Sequence, residues 1–294
     1  MDGMLSLRSG TLRLDLAPEI GGAIAGFSSE GPGGTIHWLR PMSAAGRQAG
    51  DVGAASCFPL FPFSNRIRGC AFVFQGRAVR MTHTFDNAEH GHGWLSPWKV
   101  QDVGADRATL VFERAATADW PFAYRARQEF ALTGKGLEAR IEIANTGTIP
   151  MPAGFGLHPY FPRTPRTTLR ARVTGMWETD AQILPTRLVE PAGASDPRAR
   201  LEVDKVALDN CYTGWDGSAE IDWPERGNGL SMTAEGPLGF LVVYTPPGED
   251  FFCAEPVSNA TDAFNLAAAG RGDTGMLVLE PGRSASARVV LTPR

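Results

Sequence analysis

Two short segments hold the residues best suited to moving protons. In Gly156-Leu157-His158-Pro159-Tyr160-Phe161 a histidine stands between apolar residues and directly before a proline. The proline biases His158 toward extended backbone, and a strand end of that kind can hold an imidazole at the floor of a pocket. In Phe251-Phe252-Cys253-Ala254-Glu255-Pro256 a carboxylate has the same setting, with apolar residues before it and proline after it. An imidazole titrates near ~6.5 and so lends or takes a proton at neutral pH. An apolar setting raises a carboxyl group and makes it a better base. The two residues read as an acid/base pair across one cleft. The bland alternatives are a core histidine bonded to backbone and a strand-end glutamate turned to solvent. For Glu255 the cost of burying an unpaired carboxylate favours a functional role.

Further polar residues sit in similarly apolar company. Asn65 and Arg66 follow Phe61-Pro62-Phe63-Ser64 and precede Ile67-Arg68-Gly69. Their amide and guanidinium groups offer fixed forks that suit hydroxyl-rich ligands, although a lone arginine is more often a surface ion pair. His90-Gly91-His92-Gly93-Trp94-Leu95-Ser96-Pro97-Trp98 places three of the five histidines (His83, His90, His92) close together. His90 and His92 would share one face of a strand, as zinc-binding pairs sometimes do. No neighbouring Cys, Asp or Glu has a ligand spacing, and Asp86 and Glu89 carry no signal of their own. A sugar-facing loop fits the segment better, with indoles covering apolar sugar faces and imidazoles bonding hydroxyls. Asp209, after Ala207-Leu208, is either a ligand-holding acid or an ordinary turn aspartate before Asn210.

The elements that must position these groups have a period of two. Leu12, Leu14 and Leu16 alternate with polar residues, as do Leu137 through Ile143 and Leu169 through Val173. Each pattern predicts a strand with one wet face. Further strands are expected at 72–74, 109–112, 124–132 and 288–291. Leu238 through Tyr244 is continuously apolar and predicts a strand buried on both faces. Turn chemistry separates the runs at 30–34, 145–147, 215–217 and 245–248. No stretch longer than about ten residues keeps a helical period; short helical turns are expected near 261–269, and 190–200 reads as a long surface loop. Many short strands with frequent turns predict an all-β fold, a large antiparallel sandwich.

Composition narrows the function classes. A net charge of -4 without any basic run argues against nucleic acid and anionic membranes as partners. No apolar run approaches the ~20 residues of a membrane span. The first residues lack a basic segment followed by an apolar one, so no signal peptide is expected. Cys57, Cys70, Cys211 and Cys253 are scattered without a C-x-x-C pair, which reads as reduced, buried thiols in a cytoplasmic protein. Serine-nucleophile and phosphate-loop patterns are missing. Asn259-Ala260-Thr261 fits a glycosylation sequon that carries no weight without secretion.

Taken in order, these pieces resemble the aldose 1-epimerase (mutarotase) family. The likeness runs through Asn65-Arg66-Ile67, His90-Gly91 with Trp98, Gly156 to Phe161, Leu208-Asp209, Glu255-Pro256 and Leu279-Glu280-Pro281-Gly282, and so spans nearly the whole chain. Cys253-Ala254-Glu255-Pro256-Val257-Ser258 is closest to a shorter bacterial branch. The resemblance implies a single domain over residues 1–294 with the galactose mutarotase-like supersandwich. It implies metal-free, cofactor-free interconversion of the α and β anomers of a monosaccharide. It makes His158 the general acid on the ring oxygen and Glu255 the general base on the C1 hydroxyl, with Arg66, His90, Asp209 and Asn65 holding hydroxyls. His92 stands where galactose-type members carry a second glycine. Trp94 stands where relatives acting on hexose 6-phosphates carry an arginine; loss of that cation argues against a phosphorylated substrate, although Arg68 could replace it. Two other readings compete: a non-catalytic sugar-binding or sensing protein on the same fold, and a carbohydrate hydrolase or lyase. A hydrolase wants two carboxylates about one bond; Asp209 and Glu255 could be cast so, which leaves His158 without a role.

Overall fold

The alternating segments form strands, and their alternating apolar residues turn to one side. In the computed structural model, which describes residues 3–82 and 85–294, Leu12–Ala17 buries Leu12, Leu14 and Leu16, and Gly136–Asn145 buries Leu137, Ala139, Ile141 and Ile143. The expected strands at 72–74, 109–112, 124–132 and 288–291 lie within Ala71–Phe74, Arg107–Arg114, Tyr124–Thr133 and Ser284–Pro293. The 169–173 pattern yields a shorter strand, Thr168–Ala171. The expected helical turn is the six-residue helix Ala263–Ala268. A second helix, Ala44–Ala49, starts at Ser43, whose Oγ accepts from Gly46 N at 3.0 Å. Helices this short leave no readable period. The 190–200 segment holds two 3₁₀ turns, Gly193–Ser195 and Pro197–Ala199, and Tyr212 Oη donates to Ser195 O at 2.6 Å.

Two large antiparallel sheets face each other, as expected for a sandwich. Among the described residues one has nine strands, from Lys99–Val103 at one edge to Leu201–Glu202 at the other. The other has eleven, and its middle runs Cys57–Leu60, Gly156–Pro162, Phe251–Val257, Phe240–Tyr244, Asp209–Thr213. One face of this middle packs against the nine-stranded sheet. Leu157, Phe161, Leu241, Val243, Phe252 and Ala254 join the main core there with Ile141, Ile143, Ile221 and Leu230. The other face carries a separate buried cluster that includes Phe58, Tyr160, Trp177, Cys211, Val242 and Cys253. The continuously apolar run is explained by this double demand: Leu241 and Val243 serve the main core, Phe240 and Val242 the second cluster.

Register decides what shares that second face. His158 pairs with Phe58. The pairing of Gly156 with Val257 and of Tyr160 with Cys253 sets His158 opposite Glu255. Glu255 in turn pairs with Val242, Val242 with Cys211, and Tyr244 with both Cys253 and Asp209. Side chains opposite one another, and those two residues apart, lie on the same side of a sheet. His158, Glu255 and Asp209 therefore emerge on one surface, away from the main core. The pairing between the two central strands breaks between Gly156/Val257 and Tyr160/Cys253. Pro159 and Pro256 lie in that gap, and neither has an N–H to donate.

Candidate active site

The second face forms the floor of a cavity of about 240 Å³ lined by Phe58, His158, Tyr160, Asp209, Tyr244 and Glu255, with Asn65, Arg66, Glu89, His90 and Trp94 among its walls. All six candidate residues, His158, Glu255, Arg66, His90, Asp209 and Asn65, line this one space. His158 and Glu255 are 6% and 2% exposed, so each reaches the cavity through few atoms. His158 Nε2 lies 3.3 Å from Glu255 Oε1. The imidazole lies in aromatic company, 4.5 Å from the Phe58 ring and 4.8 Å from that of Tyr160, which are themselves 6.0 Å apart. Arg40 braces this stack from behind, with its guanidinium 4.0 Å from the Tyr160 ring and 4.4 Å from that of Phe251.

Burial governs the protons. It pushes the His158 imidazolium well below its ordinary range, helped by the neighbouring His90. It pushes the Glu255 carboxyl well above its ordinary range, helped by the charge of Asp209 and opposed by Arg66. A strong ion pair would move both groups the other way. Desolvation is the leading cause of both shifts. Burial also raises the Asp209 carboxyl, against the pull of Arg66.

The walls come from two short segments facing each other. Arg66–Ile67 pairs with Ala88–Glu89, which sets Arg66 opposite Glu89. Arg66 Nε meets Glu89 Oε1 at 2.6 Å, and its Nη1 meets Asp209 Oδ2 at 3.4 Å. Asn65 and His90 flank this ladder in left-handed conformation, with φ of 55° and 58°. His90 N donates to Asn65 O at 2.9 Å, and Asn65 Oδ1 accepts from Arg66 N at 2.8 Å. The His90 ring stands edge-on to that of His158, 5.2 Å away. Gly91, at φ 72°, lies so close to the chain that follows Cys57–Leu60 that a Cβ would sit 2.0 Å from Phe61 O. That carbonyl accepts from His92 N at 2.7 Å and Gly93 N at 3.0 Å. Behind the walls, Ser64 Oγ donates to Asn259 Oδ1 at 3.0 Å, and Phe155 N donates to Ser258 Oγ at 2.9 Å.

Residues 4–292 match the family model described as aldose 1-epimerase. This chain belongs to the aldose 1-epimerase family. YphB, an uncharacterised protein of Escherichia coli K12, is 33% identical over 297 residues, covering 97% of each chain. The solved structure of a candidate aldose 1-epimerase from Escherichia coli K12 is 30% identical, covers 99% of this chain and 98% of its own, and superposes with a TM-score of 0.89. A galactose mutarotase-like protein from Clostridium acetobutylicum also reaches 0.89 at 18% identity, covering 99% and 95%; that likeness speaks for the fold alone.

Within this member of the aldose 1-epimerase family, four expectations need correcting. His90 and His92 do not share a strand face. The backbone turns left-handed at His90, and His92 points away, its Nδ1 3.3 Å from Tyr124 Oη and its ring against Trp120. Trp98 does not cover a ligand: it is buried under Gly22 and Phe61, with Nε1 donating to Gly93 O at 2.9 Å. Trp94 alone of the two indoles lines the cavity, stacked on Phe58 at 5.2 Å. Arg68 is held by Asp180 at 3.6 Å and Asp262 at 3.5 Å and is not a lining residue. Glu89, without any signal in the sequence, is a wall residue. His83 lies outside the described residues.

Among the described residues, His158, Cys253 and Glu255 alone bring three metal-capable atoms within 4.8 Å of one another. All three are buried, and burial raises both the Cys253 thiol and the Glu255 carboxyl. All four cysteines are buried and unpaired. Asn259 of the sequon is buried, and its side chain is spent on Ser64 and Ala260.

Proposed function

We propose that this protein is an aldose 1-epimerase, an isomerase that opens and recloses the ring of a free aldose, acting as one sandwich domain over residues 1–294. The observation that carries the reading is the contact of 3.3 Å between His158 Nε2 and Glu255 Oε1 on the floor of a polar, sugar-sized cavity. Anomer exchange needs one proton given and one taken at two oxygens bonded to the same carbon. A pair that holds a single proton and can carry it on either member meets that need.

On this reading substrate hydroxyls and the wall residues Arg66, His90, Asp209 and Asn65 fix the sugar over the pair. With the ligand's polar groups around the pair, the reactive form has His158 protonated and Glu255 ionised. His158 then gives it to the ring oxygen while Glu255 takes the C1 hydroxyl proton. The bond between C1 and the ring oxygen breaks, and the C1 carbonyl forms. Rotation about C1–C2 presents the other carbonyl face, and the reverse transfers close either anomer. Phe58, Tyr160 and Trp94 supply apolar surface for the sugar ring.

A sugar-binding protein on the same fold has no need of two buried titratable groups in contact, and their desolvation makes them costly to keep. His158→Ala and Glu255→Gln should each lower catalysed anomer exchange by about 10²–10⁴-fold with the fold retained, as read by saturation-transfer NMR on free aldoses and by circular dichroism. Near-normal exchange in either folded variant removes that residue from the mechanism.

A further inference from the structure

We propose that Glu89 is a specificity-determining residue which, together with Asp209, makes this cavity accept neutral and cationic sugars, amino sugars included, and reject anionic ones. The inference rests on the reading of the cavity as a sugar site and extends it to the charge of the substrate.

Arg66 is the one arginine or lysine that lines the cavity among the described residues. It is already committed, with Glu89 on Nε at 2.6 Å and Asp209 on Nη1 at 3.4 Å. Among the described arginines and lysines of the lining, one guanidinium thus faces two carboxylates. All three side chains keep about a fifth of their surface exposed, so a ligand can meet them. The other nearby cations are spent elsewhere. Arg68 sits between Asp180 and Asp262. Arg40 lies on the rings of Tyr160 and Phe251, and its Nη2 donates to Gly53 O and Ala55 O at 2.8 Å each. A phosphate or carboxylate entering the cavity would find no unengaged arginine or lysine among the described residues, and would have to strip Arg66 from its partners. An ammonium would find two carboxylates within reach. The field of Glu89 is felt across the cavity, since it contributes to raising both Asp209 and Glu255. Two opposite unit charges in a partly solvated site interact strongly enough to change binding by tenfold or more.

Glucose, glucosamine in its ammonium form and glucose 6-phosphate form a matched neutral, cationic and anionic set. For each, kcat/KM for anomer exchange comes from saturation-transfer NMR and Kd from quenching of tryptophan fluorescence. The wild-type protein should take the amino sugar at least as well as glucose and the phosphate at least about tenfold worse. Glu89→Gln keeps an acceptor for Arg66 but removes the charge. It should lower the amino-to-neutral ratio and raise the phosphate-to-neutral ratio, each by about tenfold. Added salt should compress the wild-type ratios in the same direction, a readout that stands even if the variant fails to fold. A merely structural Glu89 would weaken all three sugars alike. Ratios identical in wild type and Glu89→Gln, or wild-type ratios indifferent to salt, overturn the proposal. Binding ratios in the expected order without any exchange would leave it standing and remove the enzymatic reading. Failure of all three sugars to bind removes both.

Discussion

At the scale of single residues, the pair at the cavity floor trades stability for chemistry. A glutamate at 2% exposure with its carboxyl pushed well above the usual range binds its proton more tightly in the folded chain than in the unfolded one. Its contribution to stability is then fully present below the unfolded value near ~4.3 and is lost as pH rises through the folded value. His158 has the opposite shift. Burial lowers it, so unfolding takes up a proton below ~6.5, and its contribution is lost as pH falls through that window. The two costs fall on opposite sides of a mildly acidic optimum. Glu255→Gln keeps the shape and removes the alkaline cost. Its melting temperature should match wild type near pH 4 and exceed it near pH 8, by about 2–4 °C for each kcal/mol regained. Thermal melts of both proteins at the two pH values measure the difference. A gap that stays constant with pH would mean that Glu255 titrates normally in the fold.

Between residues and sheets stand the short elements, and there the sequence is least legible. His158 and Glu255 could be found because a titratable side chain in an apolar strand contradicts its surroundings. Arg66, Asn65, His90 and Asp209 stand out as polar residues in apolar company and gain weight as an ordered set. Glu89 could not be found, because its role depends on a ladder two residues long on each side, too short to leave any alternation. His92 and Trp98 were misread for a related reason: left-handed turns at His90 and Gly91 rotate successive side chains apart, whereas a strand would have set His90 and His92 side by side. Phe58, Tyr160 and Tyr244 gave no sign because an aromatic residue in a strand reads as core, and each also packs with the second buried cluster. The turn itself is testable at Gly91. Gly91→Ala places a methyl group against Phe61 O in a conformation that disfavours side chains. It should cost about 1–3 kcal/mol in urea unfolding. By shifting His90 and Glu89 it should also lower kcat/KM by an order of magnitude or more. Wild-type values for both would show that this contact does not anchor the wall.

For the whole molecule, the eleven-stranded sheet is asked to do two things at once. One face is half of the main core; the other is the floor of the cavity, resting on its own smaller cluster. Neighbours in sequence therefore answer to different demands. Leu241 is fully buried between the sheets, while Val242 is buried on the cavity side and pairs with Glu255 and Cys211. Leu241→Ala removes packing from the interface that holds the sandwich together and should cost about 2–5 kcal/mol, with kcat per folded molecule close to wild type. Val242→Ala removes less volume and should cost about 1–2 kcal/mol. It also opens space beside the Glu255 carboxyl. Water entering there weakens the desolvation that raises the carboxyl, so the alkaline limb of the rate profile should move to lower pH and kcat should fall several-fold. Urea unfolding and the dependence of kcat on pH, measured on both variants, separate the two effects. If Val242→Ala left the pH profile in place, or Leu241→Ala moved it, the two faces of the sheet would not divide stability from chemistry in this way.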